Sequence, residues 1–173
     1  MTTTASSNKT LKHEEIAQWL AALGSKDGME RQRARLALVE IGKPVLPYLL
    51  EALKDNHQQV RWEAAKALGS INETDAAPAL VDALMDESSE VRWLAAEALI
   101  GLREQAVVPL LLALEKHFKS VWLREGAHHV LHDLGRYHLL NKPTQQVLET
   151  LRSLEPEVTI PWAAKVALES LKT

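Results

Sequence analysis

Val60-Arg61-Trp62-Glu63-Ala64-Ala65-Lys66-Ala67-Leu68-Gly69 returns thirty-one residues later as Val91-Arg92-Trp93-Leu94-Ala95-Ala96-Glu97-Ala98-Leu99-Ile100. Self-similarity at such a period marks a stacked repeat protein, in which each unit buries its apolar face only against its neighbours. Working outward from Arg61, Ala64, Ala67, Leu68 and Ile71, the same pattern is met upstream as Arg31, Ala34, Ala37, Leu38 and Ile41. Downstream it becomes Arg92, Ala95, Ala98, Leu99 and Leu102, then Arg124, Ala127, Val130, Leu131 and Leu134. A looser last copy keeps Ala164, Ala167, Leu168 and Leu171 but has Pro161 in place of the arginine. Five copies of this helix, here called B, are expected.

Each B helix follows a second apolar segment, A. Its copies end in Ala22-Leu23, Ala52-Leu53, Ala83-Leu84 and Ala113-Leu114. Pro47, Pro78 and Pro109 recur near the starts of the middle three, and Pro143 is expected to open the fifth. Proline is tolerated in a first helical turn, where its missing N–H has no helical partner to lose. Turn residues such as Asp55-Asn56 and Asp86-Glu87-Ser88-Ser89 divide the hairpins, with Ser88 or Ser89 as an N-cap. Gly42 and Gly135 are expected just beyond B helices. The reading is an all-α chain of about five helical hairpins stacked as a right-handed α-solenoid. Residues 11–173 would form one repeat domain behind a disordered tail, Met1–Thr10. Leu11, Ile16, Trp19 and Leu20 would cap one end, and Val166, Leu168 and Leu171 the other.

The acidic turn, the Val-Arg pair and the Ala-Ala-x-Ala-Leu run resemble the HEAT-repeat superfamily, and within it the phycobilisome-lyase-type HEAT-like repeats. The resemblance implies a ladder between adjacent repeats, built from turn aspartates and helix-B arginines. It assigns this role to Asp55, Arg61, Asp86 and Arg92. Lys116 and His117 stand where the fourth repeat would need its aspartate, so the ladder is expected to end there. The resemblance also implies a range of roles, from bilin lyase subunits to scaffolds without catalysis. A di-iron hydroxylase of this type repeats His-Glu pairs, whereas this chain has a single one, His13-Glu14.

Composition narrows the function. A formal net charge of −3 without a basic block disfavours nucleic acid, whose binding rests on cations displacing counterions. The absence of cysteine excludes disulfides, thiol catalysis and cysteine-ligated zinc. No apolar run suggests a signal peptide or a bilayer span, so a cytoplasmic protein away from membranes is expected. Ser70, Ser88 and Ser89 lack a nucleophile elbow, and no phosphate-binding glycine loop is present. His128 and His132 share a helix face but lack the further ligands of a metal site. No cofactor and no metal are expected.

On a helical wheel Val60, Ala64, Ala67, Leu68 and Ile71 face the core while Trp62 points away. The same argument turns Trp93, Trp122 and Trp162 outward, along the concave side that B helices line in HEAT-like solenoids. Tryptophan is enriched at interface hot spots, and exposed apolar patches mark interaction sites. A non-catalytic scaffold is expected, binding a protein partner through Trp62, Trp93, Trp122 and Trp162, with Glu97, Glu125 and His129 around them. Glu63, Glu97 and Glu125 are read as solvated. The alternative is a phycobilin lyase subunit or phycobilisome-associated factor handling a bilin or phycobiliprotein on the same face.

Overall fold

The computed structural model describes residues 14–153 and 155–172. The expected tail Met1–Thr10, the cap residue Leu11 and His13 lie outside the described residues. The described residues form ten α-helices and no strand, as the repeat pattern requires. They gather into two compact units, one ending at Ile71 and the other beginning at Asn72.

The first unit holds two hairpins. Helix α1 covers residues 14–22, and α2 is Gly28–Ile41. Helices α3 (Leu46–Ala52) and α4 (Gln58–Ile71) form the next pair. Helix α2 packs on α4, and α3 on α4. Ala34 and Leu38 of α2 are buried, as are Ala64, Ala65, Ala67 and Leu68 of α4, while Ala37, Ile41 and Ile71, which the repeat also singles out, are half-buried. Small side chains there let the helix axes approach while leucine fills the remaining volume.

The second unit holds three hairpins. These are α5 (Ala77–Ala83) with α6 (Ser89–Gly101), α7 (Val107–His117) with α8 (Val121–Arg136), and α9 (Lys142–Thr150) with α10 (Pro156–Ser170). Helix α5 packs on α7 and α6 on α8, so like packs on like. The last pair departs from this rule. Helix α10 packs chiefly against α9 and α7, a helix of the A type. Pro161 stands inside α10 in place of the arginine that anchors every other B helix. At this end Val166 and Leu168 are half-buried and Leu171 is exposed.

Local chemistry sets the helix boundaries. Pro47, Pro78 and Pro143 fall in first helical turns, as their spacing predicts. Asp27, Ser88, Ser120 and Asn141 cap α2, α6, α8 and α9, each side-chain oxygen accepting a hydrogen bond from a first-turn N–H. Between the two candidate serines, the cap is therefore Ser88. Left-handed residues close four B helices at matching places: Gly42 (φ 72°), Asn72 (56°), Arg103 (57°) and His138 (57°). Only the first is glycine, which explains why glycine alone was a poor guide. Gly135 lies within α8, and the reversal comes at His138 because α8 spans 16 residues against 13 in α6.

Each helix-B arginine in the first four copies makes the same pair of bonds. Arg31, Arg61, Arg92 and Arg124 donate from Nη1 to two consecutive carbonyls of the turn before their own helix, at 2.8–2.9 Å and 3.1–3.3 Å. The carbonyls belong to Ser25 and Lys26, Asp55 and Asn56, Asp86 and Glu87, and Phe118 and Lys119. The carboxylates of Asp55 and Asp86 also close the turns from within, accepting from the backbone N–H of His57 and of Ser88. Because the arginine grips backbone, no aspartate is needed. The staple continues at Arg124 although Lys116 and His117 stand upstream. Carbonyls left free at the end of one helix are thereby satisfied by the start of the next.

Candidate functional site

In the second unit α6 and α8 lie side by side and leave an open cleft of about 300 Å³ between them. Ser89, Arg92, Trp93, Ala96, Trp122, Glu125, Gly126 and His129 line it. The cleft exists because small residues stand at its floor. Ala96 is nearly fully buried, and Gly126 presses against Leu84 so closely that a Cβ would sit 2.8 Å from Leu84 Cδ2.

Two aromatic pairs form its walls. The Trp93 ring stacks on His129, with centroids 4.9 Å apart and planes at 25°. At the ring edge His129 Nε2 lies 3.0 Å from Glu97 Oε1. The carboxylate thus holds the imidazole in place against the indole. Across the cleft the guanidinium of Arg92 lies 4.7 Å from the centre of the Trp122 ring, a cation–π contact. Trp93 is 57% exposed and Trp122 43%, so both keep much of their apolar surface in water. Glu125 is exposed at the rim.

Five of the seven expected partner-contacting residues therefore meet around one cleft: Trp93, Trp122, Glu97, Glu125 and His129. The other two stand elsewhere. Trp62, in the first unit, is half-buried beneath Lys66 Nζ at 4.6 Å and the Arg35 guanidinium at 5.8 Å from its ring centre. Trp162 is 70% exposed and lines a separate cleft between α9 and α10, with Pro143, Glu149 and Val166. Helix α10 packs on α7 as well as on α9, a placement the sequence offset does not carry.

Two features went unread in the sequence. Glu63, expected on a solvated face, is 2% exposed. It is held by Arg35 Nη1 and by Arg31 Nε at 3.3 Å, both from α2. The four-residue spacing of Arg31 and Arg35 was the available signal, since it puts two cations on one face of α2. The other is the packing role of Gly126, which only the neighbouring Leu84 discloses.

The His128 and His132 rings stack at 5.9 Å. Burial lowers the His128 pKa, assisted by the positive charge of Arg152 and by His132 and His129. Among the described residues no group of three or more His, Asp or Glu could hold a metal ion. No described helix is long and apolar enough to cross a membrane.

Residues 16–100 match the family model for HEAT repeats. Among solved structures the chain is similar to the complex of CpcE and CpcF of phycocyanin lyase from Nostoc sp. PCC7120, with 23% identity and a TM-score of 0.59. That match covers 87% of this chain and 98% of the other. A second similarity, to an engineered protein, has 19% identity and a TM-score of 0.43 over 91% of this chain and 98% of the other. Among curated proteins none matches. The matched residues run from α1 into α6, and the arginine staple recurs at Arg124 in α8: residues 16–100 carry HEAT repeats, and the described residues as a whole have an all-helical fold like that of the phycocyanin lyase subunits.

Proposed function

We propose that the protein is a non-catalytic binding module that holds a segment of a partner protein in the α6/α8 cleft. The single observation that carries this reading is the pair of exposed, pre-positioned indoles. His129 and Glu97 fix Trp93, and Arg92 fixes Trp122, so both rings are ordered before any partner arrives. Rigid aromatic surface in a concave site binds at small entropic cost, which is why tryptophan recurs at hot spots. The histidine of the cleft is held at one face by Trp93 and at Nε2 by Glu97.

A photo-crosslinking amino acid placed at Ser89, an exposed residue lining the cleft, tests the reading against the same probe at Val108, an exposed residue of α7. The expected result is a defined protein adduct from the Ser89 position and none from Val108. Equal adducts from both, or none from Ser89, would remove the cleft as the site. The absorption spectrum of the adduct separates a plain protein partner from a pigmented phycobiliprotein, the alternative suggested by the fold likeness to phycocyanin lyase subunits.

A further inference from the structure

Trp62 and Trp93 occupy the same place in successive copies of the repeat. What lies over them differs. The Trp62 ring carries two cations from its own chain, Lys66 one turn onward and Arg35 from α2. At Trp93 the residue one turn onward is Glu97, so the charge at that position is reversed. Among the described residues the Trp93 ring meets His129 and no cation. Arg92, the guanidinium of the cleft, is already engaged by the Trp122 ring and by the carbonyls of Asp86 and Glu87. Glu97 is bonded to His129, and the Glu125 carboxylate has no partner among the described residues. The cleft therefore has the aromatic surface of the Trp62 arrangement and a solvent-facing carboxylate without a protein partner, while its one guanidinium, Arg92, is already engaged elsewhere.

We infer that the α6/α8 cleft takes an arginine side chain presented by a partner polypeptide, its guanidinium lying over Trp93 and its N–H groups directed at Glu125. The inference rests on the partner-binding reading above and states what the partner must present. An anionic group would meet Glu97 and Glu125, and a purely apolar one would leave the Glu125 carboxylate to be desolvated without return. Arginine suits the site better than lysine because a planar guanidinium can stack on a ring by its face while its edge donates to a carboxylate. In the first unit the molecule makes a similar arrangement within one chain: Arg35 lies over Trp62 while donating to Glu63.

The test uses the full chain and a short blocked peptide of glycine and serine with one central arginine, beside its lysine and citrulline counterparts. Citrulline keeps the shape of arginine and removes its charge. Binding is followed by NMR through the indole N–H signals, which report each tryptophan separately. The arginine peptide is expected to move the Trp93 signal saturably, with the citrulline peptide weaker by about fivefold or more. Glu125→Gln should weaken the arginine peptide by a similar factor. Glu97→Lys, which rebuilds the Lys66–Trp62 arrangement at Trp93, should abolish the response. Equal binding of the citrulline peptide, an unmoved Trp93 signal, or full binding by Glu97→Lys would overturn the inference. If crosslinking at Ser89 still captures a partner when the arginine peptide leaves Trp93 unmoved, the arginine inference fails and the partner-binding reading stands.

Discussion

Trp62 and Trp93 hold the same place in successive copies of the repeat, and their neighbours make them different. The Trp62 ring is half-buried between Arg35 and Lys66, beside a buried Glu63 that both Arg31 and Arg35 hold. Removing it leaves the stems of two cations without the surface they cover. Trp93 is exposed and touches one imidazole. Trp62→Ala is therefore expected to lower the unfolding free energy by about 2 kcal/mol, and Trp93→Ala by less than about 0.5 kcal/mol. Urea unfolding of the two single variants checks this, and a Trp93→Ala loss as large as that of Trp62→Ala would make both rings structural. Helical periodicity sets the direction in which each tryptophan leaves its helix. It could not give the exposure, because the cations over Trp62 come partly from a different helix.

Helix α8 shows how one element serves packing and site together. Its buried stripe, Leu123, Ala127, Val130, Leu131 and Leu134, faces the core, while Trp122, Glu125, Gly126 and His129 line the cleft. Gly126 lies at the border of the two. Leu84, which it meets, is fully buried and cannot swing aside, so Gly126→Ala is expected to cost about 1–3 kcal/mol despite the better helix propensity of alanine. A melting temperature at or above that of the wild type would show that α8 can shift at no cost. The same helix responds to pH. His128 is partly desolvated and faces Arg152, His132 and His129, so its folded pKa lies below the ordinary value of 6.5. On acidification the unfolded chain takes up this proton first. Stability from this group is complete above about pH 6.5 and is lost as the pH falls to and through the folded pKa. Denaturation series across that window should show a smaller loss for His128→Gln than for the wild type. An equal loss in both would assign the effect to other groups.

At the scale of the whole molecule, stability in a repeat protein is close to a sum of local terms. Glu63 is held by Arg31 and Arg35 of α2 in the first unit, and Gly126 presses on Leu84 in the second. Glu63→Gln is expected to cost about 3 kcal/mol, because it leaves two guanidiniums facing a neutral amide in a buried place. Combined with Gly126→Ala, the losses should add to within about 0.5 kcal/mol in equilibrium unfolding. A clear departure from additivity would mean that the two sites are coupled.

The sequence by itself determined the all-helical hairpin repeat, its period, the buried alanine and leucine positions, and the proline-led starts of several A helices. These are set by local spacing, because the 3.6-residue turn decides which side chains share a face and an identical unit must bury an identical stripe. It also named Trp93, Trp122, Glu97, Glu125 and His129 as candidates. Only the tertiary structure decided which of the candidates stand together. The staple from each arginine to backbone carbonyls, the burial of Glu63 beneath α2, the packing of α10 on α7 that sends Trp162 to its own cleft, and the approach of Gly126 to Leu84 each join residues of different helices. Such pairings depend on how helices cross in space, and a repeat records its own period without recording where its last copy turns aside.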